Sequence, residues 1–247
     1  MKLYKTLHFT RFSDTSYDTA AAIIVAAGSS SRMGGQDKLW TPLAGRITLA
    51  RTIDVFEASP CIDSIILVSS AGHMADATML CHAEGWRKIV TVITGGPRRR
   101  DSVHNGLDAL AKAAPGSAWV MIHDGARPLV TPALLEAGLK AAQEHRAAAS
   151  AVPVQDTIKQ VQQGQITGTL DRSHLWLVQT PQVFSYSLIH QAHHLVDAQE
   201  EVTDDAALLE RLGQRVAIFP GSYTNIKITR QEDVFLAEAL LQGLAAL

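Results

Sequence analysis

Cysteine is nearly absent from this chain, with only Cys61 and Cys81 in 247 residues. Two isolated thiols make no disulfide framework, and neither belongs to a Cys-x-x-Cys pair that could hold zinc or a redox couple. Both read as reduced thiols in or near the core. Aromatic residues are scarce at 6%. Trp40, Trp86, Trp119 and Trp176 are scattered, which suits packing anchors and not a base-stacking platform. Neither sign of charge dominates, since a formal net charge of -2 gives no basic field for nucleic acid. Apolar runs stop short of a membrane helix, and no apolar leader precedes the first strand. The expectation is a cytoplasmic protein with no nucleic-acid or membrane partner.

Familiar catalytic signatures are missing too. The segment Gly28-Ser29-Ser30-Ser31-Arg32-Met33 lacks the glycine and lysine of an ATPase phosphate loop, and no G-x-G-x-x-G dinucleotide fingerprint occurs. There is no G-x-S-x-G elbow. His190-Gln191-Ala192-His193-His194 lacks the glutamate of a helical H-E-x-x-H site, so it reads as helix packing, and no protein metal ligands are expected.

What is present begins with the apolar run Ala22-Ile23-Ile24-Val25, a buried strand that empties into Ala26-Ala27-Gly28-Ser29-Ser30-Ser31-Arg32-Met33-Gly34-Gly35 and then Lys38. Small side chains let backbone N–H groups reach phosphate oxygens, and Arg32 and Lys38 add charge. Further strands read at Ile65–Val68, Ile89–Ile93 and Trp119–Ile122. Leu49, Ile53 and Phe56, then Val103, Leu107 and Leu110, mark helical faces between them. Such alternation predicts an α/β fold with a mostly parallel sheet and helices on both faces. Helix caps read at Thr131-Pro132, at Thr203 before Asp204 and Asp205, and at Thr229 with Glu232, while Gly213 suits a helix end.

Between Val152 and Phe184 the rhythm breaks into short extended pieces around Gln162-Gln163-Gly164-Gln165. These predict a protruding β-arm over about 153–178. A thin hairpin leaves one face uncovered, which predicts a homodimer in which the same arm of a second copy covers it. Residues 1–20 read as an N-terminal extension and 21–247 as one domain.

The charged residues point to phosphate chemistry. His123-Asp124-Gly125-Ala126-Arg127-Pro128 follows a strand, where open parallel sheets bind ligands. Asp124 suits substrate hydroxyls, a divalent cation, or a buried pair with Arg127; Arg127 suits that pair or an anion. His123 reads as a packed or orienting side chain. Arg98-Arg99-Arg100 reads as a solvated loop or an anion trap, and Lys227 as a phosphate clamp on a short strand. Thr157, Arg172 and Thr180 carry hydroxyl and guanidinium groups that match phosphate oxygens. Phosphate ligands thus outnumber bases. A phosphomonoester nucleophile needs little deprotonation, but it must approach an equally anionic nucleotide, so cations and Mg²⁺ must offset the repulsion. That is the problem of a nucleotidyltransferase releasing pyrophosphate.

The ordered series Ala26-Ala27-Gly28…Arg32-Met33…Asp37-Lys38, Gly95-Gly96…Asp101-Ser102-Val103, His123–Pro128, Val154–Lys159, Asp171-Arg172, Gln179-Thr180-Pro181-Gln182, Thr203-Asp204-Asp205 and Asn225–Arg230 resembles the 2-C-methyl-D-erythritol 4-phosphate cytidylyltransferases. These enzymes join CTP to methylerythritol phosphate in the non-mevalonate isoprenoid pathway. The resemblance implies a Rossmann-like nucleotidyltransferase domain, an arm interlocked in a homodimer, and Mg²⁺ held largely through CTP. It assigns Arg32, Lys38 and Lys227 to the reacting phosphates, and Ala26, Ala27, Gly28, Gly96 and Ser102 to the nucleotide. It assigns Asp124, Arg127, Thr157, Arg172, Thr180 and Thr203 to the acceptor, some from the neighbouring subunit. Asp37 stands where the family often has proline and is expected on the outer side of its loop. Two alternatives are a ribitol 5-phosphate cytidylyltransferase, which shares fold and CTP, and a non-catalytic nucleotide sensor. Acceptor preference separates the first, and pyrophosphate release the second.

Overall fold

Every residue from Ala20 to Ala26 is apolar, and this run forms an interior strand of the sheet. The structure, a computed structural model, describes residues 19–28, 37–197 and 199–245. In chain order the first half comprises β1 (Ala20–Ala26), β2 (Pro42–Leu43), β3 (Arg46–Ile47), α1 (Thr48–Ala58), β4 (Ile62–Ser69), α2 (Met74–Glu84), β5 (Ile89–Thr94), α3 (Arg99–Ala113) and β6 (Trp119–Asp124). Then follow α4 (Pro132–His145), β7 (Ala147–Pro153), β8 (Lys159–Gln162), β9 (Gln165–Thr169), β10 (Trp176–Ser185), α5 (Tyr186–Leu195), α6 (Ala206–Arg211), β11 (Ala217–Pro220) and α7 (Gln231–Ala245).

The seven-stranded sheet runs β11-β7-β10-β6-β1-β4-β5. Pairing is parallel from β6 through β1 and β4 to β5 and between β7 and β11; only β10 runs antiparallel, between β6 and β7. The mostly parallel sheet is therefore present. Strand periodicity divides its side chains between two cores. Ala22, Ile24 and Ala26 face α1 and α4, packing with Leu49, Ile53, Phe56, Leu135 and Leu139. Ala21 and Ile23 face α3, α5 and α6, packing with Val103, Leu107, Leu188, Ile189 and Leu208. Cys61 is buried and Cys81 half-buried; burial raises both thiols, Cys81 to about 11, which leaves them unreactive.

Local signals held unevenly. The Thr131 hydroxyl accepts from Leu134 N–H at 3.3 Å, with Pro132 in the first turn of α4. Gly213 takes φ +70° behind α6, as a helix-ending glycine should. Two caps shift by a residue. Asp204, not Thr203, accepts from Ala207 N–H (3.0 Å), and the partner at α7 is Asp233, not Glu232, accepting from Arg230 N–H (2.8 Å). Ahead of α6 the carboxylate of Asp204 takes the free amide in place of the hydroxyl, and at α7 the Asp233 carboxylate accepts from the amides of both Thr229 and Arg230. Among residues 1–20 only the last two are described, and Ala20 already pairs with Ile62 in the sheet.

The arm is a separate ribbon of β8 and β9, turning at Gln163 and Gly164, both with positive φ, as a tight hairpin turn requires. Its apolar side chains stand in the open, with Val161 60% and Ile166 65% exposed; at its base, Leu177 is 53% exposed.

Helix α3 lies tight against the central strands. A Cβ on Gly106 would meet Ile23 Cγ2 at 2.7 Å. Gly106→Ala would gain about 1 kcal/mol of helix propensity, yet overpacking against a stiff β-branched side chain costs about 1–3 kcal/mol. A net loss of stability is expected by urea denaturation; a stabilised variant would show that α3 has room to lift.

Candidate active site

The carboxyl ends of β1, β5 and β6 open onto one cleft, at the place where strand order reverses about β1. Its volume is about 370 Å³, within the usual range for small-ligand sites. Ala27, Gly28, Gly96 and Ser102 line it with Lys38, Arg98, Arg99, Asp124 and Lys227. Gly95 lets the walls approach, because a Cβ there would strike Ala27 Cβ and Ser102 Oγ. Ser102 Oγ accepts from Gly96 N–H (3.1 Å) and fixes that loop. Ala26 is buried in the strand just behind. Arg32 lies outside the described residues.

One carboxylate organises the floor. Asp124 ends β6, its Oδ2 2.7 Å from Lys227 Nζ and its Oδ1 3.0 Å from Arg99 Nε. Arg127 Nε stands 3.9 Å away. Burial alone would raise the Asp124 carboxyl, but Arg99, Lys227 and Arg127 outweigh it and hold it far below the ordinary carboxylate range. Arg99 also reaches Asp205 Oδ2 at 2.8 Å. Its Nη2 is buried with no partner. Lys227 sits on an irregular segment, not the expected strand, tied to the β6 loop by Ile228 N–H donating to Ala126 O (2.8 Å).

Behind the cleft, one hydrogen-bond chain sets the end of β6. Asp124 N–H donates to Thr180 Oγ1 (3.1 Å), Thr180 Oγ1 lies 3.1 Å from His123 Nδ1, and His123 Nε2 lies 3.3 Å from Arg127 O. A carbonyl only accepts, so Nε2 carries the proton and Nδ1 accepts from the hydroxyl. Burial pushes this imidazole down to about 3, so it is neutral and committed at both nitrogens. Arg127 Nη1 donates to Asn225 O (2.8 Å), and burial lowers its guanidinium.

The acceptor-side candidates divide. Thr180 is buried behind the floor and Arg127 beside it, whereas Thr157 and Arg172 are exposed on the arm and Thr203 is exposed ahead of α6. Arg172 donates to Gln155 O. None of the five lines the cleft of one chain. Asp37 accepts from Leu39 N–H (3.0 Å) and stands 3.1 Å from His73 Nε2, outside the cleft lining.

The Arg98–Arg100 run is neither a solvated loop nor one unit. Arg98 closes a capping box with Asp101, Arg99 enters the cleft, and Arg100 is buried with its guanidinium on the carbonyls of Val196, Asp197 and Glu200. Sequence reasoning missed Arg99 and Asp205 as individuals. The signal was the helix start: once α3 begins at Arg99, successive arginines must point in different directions. Elsewhere, His104, Asp108 and His194 lie close enough to hold a metal ion together, and none of them lines the cleft.

An open α/β sheet, a glycine-walled cleft at its carboxyl edge and a cationic lining define a nucleotide-binding transferase scaffold. The family model for 2-C-methyl-D-erythritol 4-phosphate cytidylyltransferase matches residues 20–243. A protein of that name from Dehalococcoides mccartyi strain 195 is 45% identical over 226 residues, covering 91% of this chain and 97% of its own. Among solved structures, 4-diphosphocytidyl-2C-methyl-D-erythritol synthase from Anaerococcus prevotii superposes with TM-score 0.80 at 31% identity, covering 91% and 96% of the two chains. A 2-C-methyl-D-erythritol 4-phosphate cytidylyltransferase from Thermus thermophilus gives 0.74 at 30%, covering 92% and 100%. The chain belongs to the 2-C-methyl-D-erythritol 4-phosphate cytidylyltransferase family, and it is a nucleotidyltransferase enzyme.

His123 carries the first test of the site. The unfolded chain takes up the imidazole proton near its ordinary value of about 6.5, while the folded chain resists until about 3. Stability therefore falls as pH drops below about 6.5, by at most about 1.4 kcal/mol per unit. Urea unfolding between pH 7 and pH 4 should show a flatter dependence in His123→Gln; equal slopes would mean that the folded chain protonates His123.

Proposed function

We propose that the cleft performs the family's reaction by charge neutralisation alone, without a protein base. The reaction transfers the cytidylyl group of CTP to 2-C-methyl-D-erythritol 4-phosphate: an acceptor phosphate oxygen bonds to the α-phosphorus, and the bond to pyrophosphate breaks. The observation that carries this reading is the convergence of Lys38, Lys227, Arg98 and Arg99 on a cleft whose lining holds one carboxylate, itself ion-paired. His123 is neutral with both nitrogens engaged, so it offers no base.

In this reading Lys38, Lys227 and Arg32 surround the reacting phosphates and offset the repulsion of two anions. The unpartnered Nη2 of Arg99 supplies a further donor at the nucleotide. The base and sugar rest against Ala27, Gly28, Gly96 and Ser102, with Ala26 in the strand behind them. Asp124 holds Lys227 and Arg99 in place and meets the acceptor hydroxyls, with Arg127 and Thr180 fixing its position. Mg²⁺ does not find a protein cage here, because both Asp124 oxygens are ion-paired; phosphate oxygens and water would hold it. When bound, it would lower the charge on the triphosphate.

The acceptor is methylerythritol phosphate and not ribitol 5-phosphate, in keeping with the matching family model and relatives. A silent sensor would have no use for this many cations. We place Thr157 and Arg172 at the acceptor of a neighbouring subunit in a homodimer, an assembly supported by the bare Val161, Ile166 and Leu177 of the arm and its base, and Thr203, which lies off the arm, at the acceptor of its own chain. Residues 21–247 act as one domain after an N-terminal extension, in the cytoplasm. Among the described residues no helix is long and apolar enough to cross a membrane.

Lys38→Ala should lower kcat by roughly 10²–10³-fold, the usual loss for one preorganised transition-state contact, with little change in the unfolding midpoint. Near-normal turnover at saturating CTP would remove Lys38 from the chemistry. Arg172→Ala should impair acceptor use. Mixed with Lys38→Ala under subunit exchange, it should recover about a quarter of the sites, because each hybrid carries one intact site if arms cross. No recovery would place Arg172 in its own chain's site.

A further inference from the structure

The histidines of α5 take no part in the cleft, yet they are not idle packing. His190 and His194 lie one turn apart on α5, and His104 and Asp108 one turn apart on the neighbouring α3. Their ligand atoms meet between the helices. His194 Nε2 is 3.3 Å from His190 Nε2, His190 Nε2 is 3.4 Å from Asp108 Oδ1, and His104 Nε2 is 3.6 Å from Asp108 Oδ2. A tetrahedral ion holding its ligands at about 2.05 Å spaces them about 3.3 Å apart. These three contacts lie close to that edge; His104, Asp108 and His194 each bring a ligand atom within 4.8 Å of the other two, and His190 adjoins His194 and Asp108.

His190 Nε2 can serve its two contacts with at most one proton. A neutral imidazole nitrogen either donates or accepts. If His190 Nε2 donates to Asp108, it has no lone pair for a proton from His194. If it accepts from His194, its lone pair faces a carboxylate oxygen. A cation at the centre turns all these lone pairs to use at once. The ring of Tyr186 stacks on His190 at 5.2 Å, and its hydroxyl donates to Leu107 O (3.2 Å), which steadies one ligand against α3.

We propose that His104, Asp108 and His194, with the adjoining His190 as fourth ligand, form a binding site for a divalent late-transition ion of the zinc class, clipping α3 to α5. Three imidazoles and one carboxylate suit such an ion, whereas Mg²⁺ prefers oxygen and water. The four side chains are half-buried or exposed, so their replacement spares the core.

Chelator-stripped protein should take up one Zn²⁺ per chain by calorimetry, and Co²⁺ should give the strong visible absorption of tetrahedral coordination. His194→Ala and Asp108→Asn should each weaken Zn²⁺ binding by roughly tenfold or more, since losing even an outer partner of a ligand costs about that much. Circular dichroism checks that both variants fold. Wild-type protein without saturable uptake, or unchanged affinity in the His104→Ala, His194→Ala double variant, would overturn the site.

Discussion

The buried carboxylate of Asp124 governs this site. Asp124 ends a strand that is buried at every position, where an isolated carboxylate would be expelled or neutralised. Arg99 and Lys227, from elements far apart in sequence, approach it because they lower its energy, and in doing so they deliver their own cationic heads to the cleft edge. The carboxylate is the assembly point for the chemistry that surrounds it. Removing one partner of such a cluster leaves the others uncompensated, so its members stand or fall together.

The sheet makes this concentration of charge possible. Parallel strands end at one edge, and their following loops meet there without further instruction. The two apolar cores come from simple alternation along β1, and the charged groups of the cleft stand at the strand ends and in the loops that follow. Gly95 then removes the bulk that would hold the loops after β1 and β5 apart, and Gly96 lets its own loop fold onto Asp101.

Much of this was legible from residue order. Strands β1, β4, β5 and β6 announce themselves as continuous apolar runs, and α1, α3 and α4 by their spacing or caps. Strand β7 was hidden, since Ala147-Ala148-Ala149 is the composition of a helix; burial between β10 and β11 overrides that propensity. The cations of the cleft could be named singly as Lys38 and Lys227, but the division of labour among Arg98, Arg99 and Arg100 depends on rotation about a helix axis that no linear pattern states. The meeting of His104 with His194 was likewise invisible, because it needs two helices to lie side by side. What eluded the sequence is consistently what depends on distant elements arriving at one point.

The grip of Arg100 joins two parts of the fold that lie far apart in sequence. Its guanidinium closes the carbonyls at the end of α5 and the segment beyond, while the adjacent Arg99 holds Asp205. The first turn of α3, which walls the nucleotide side, is thus bolted to the stretch carrying Thr203. A displacement of one would carry the other, so the cleft wall and the connection between α5 and α6 form a single lever.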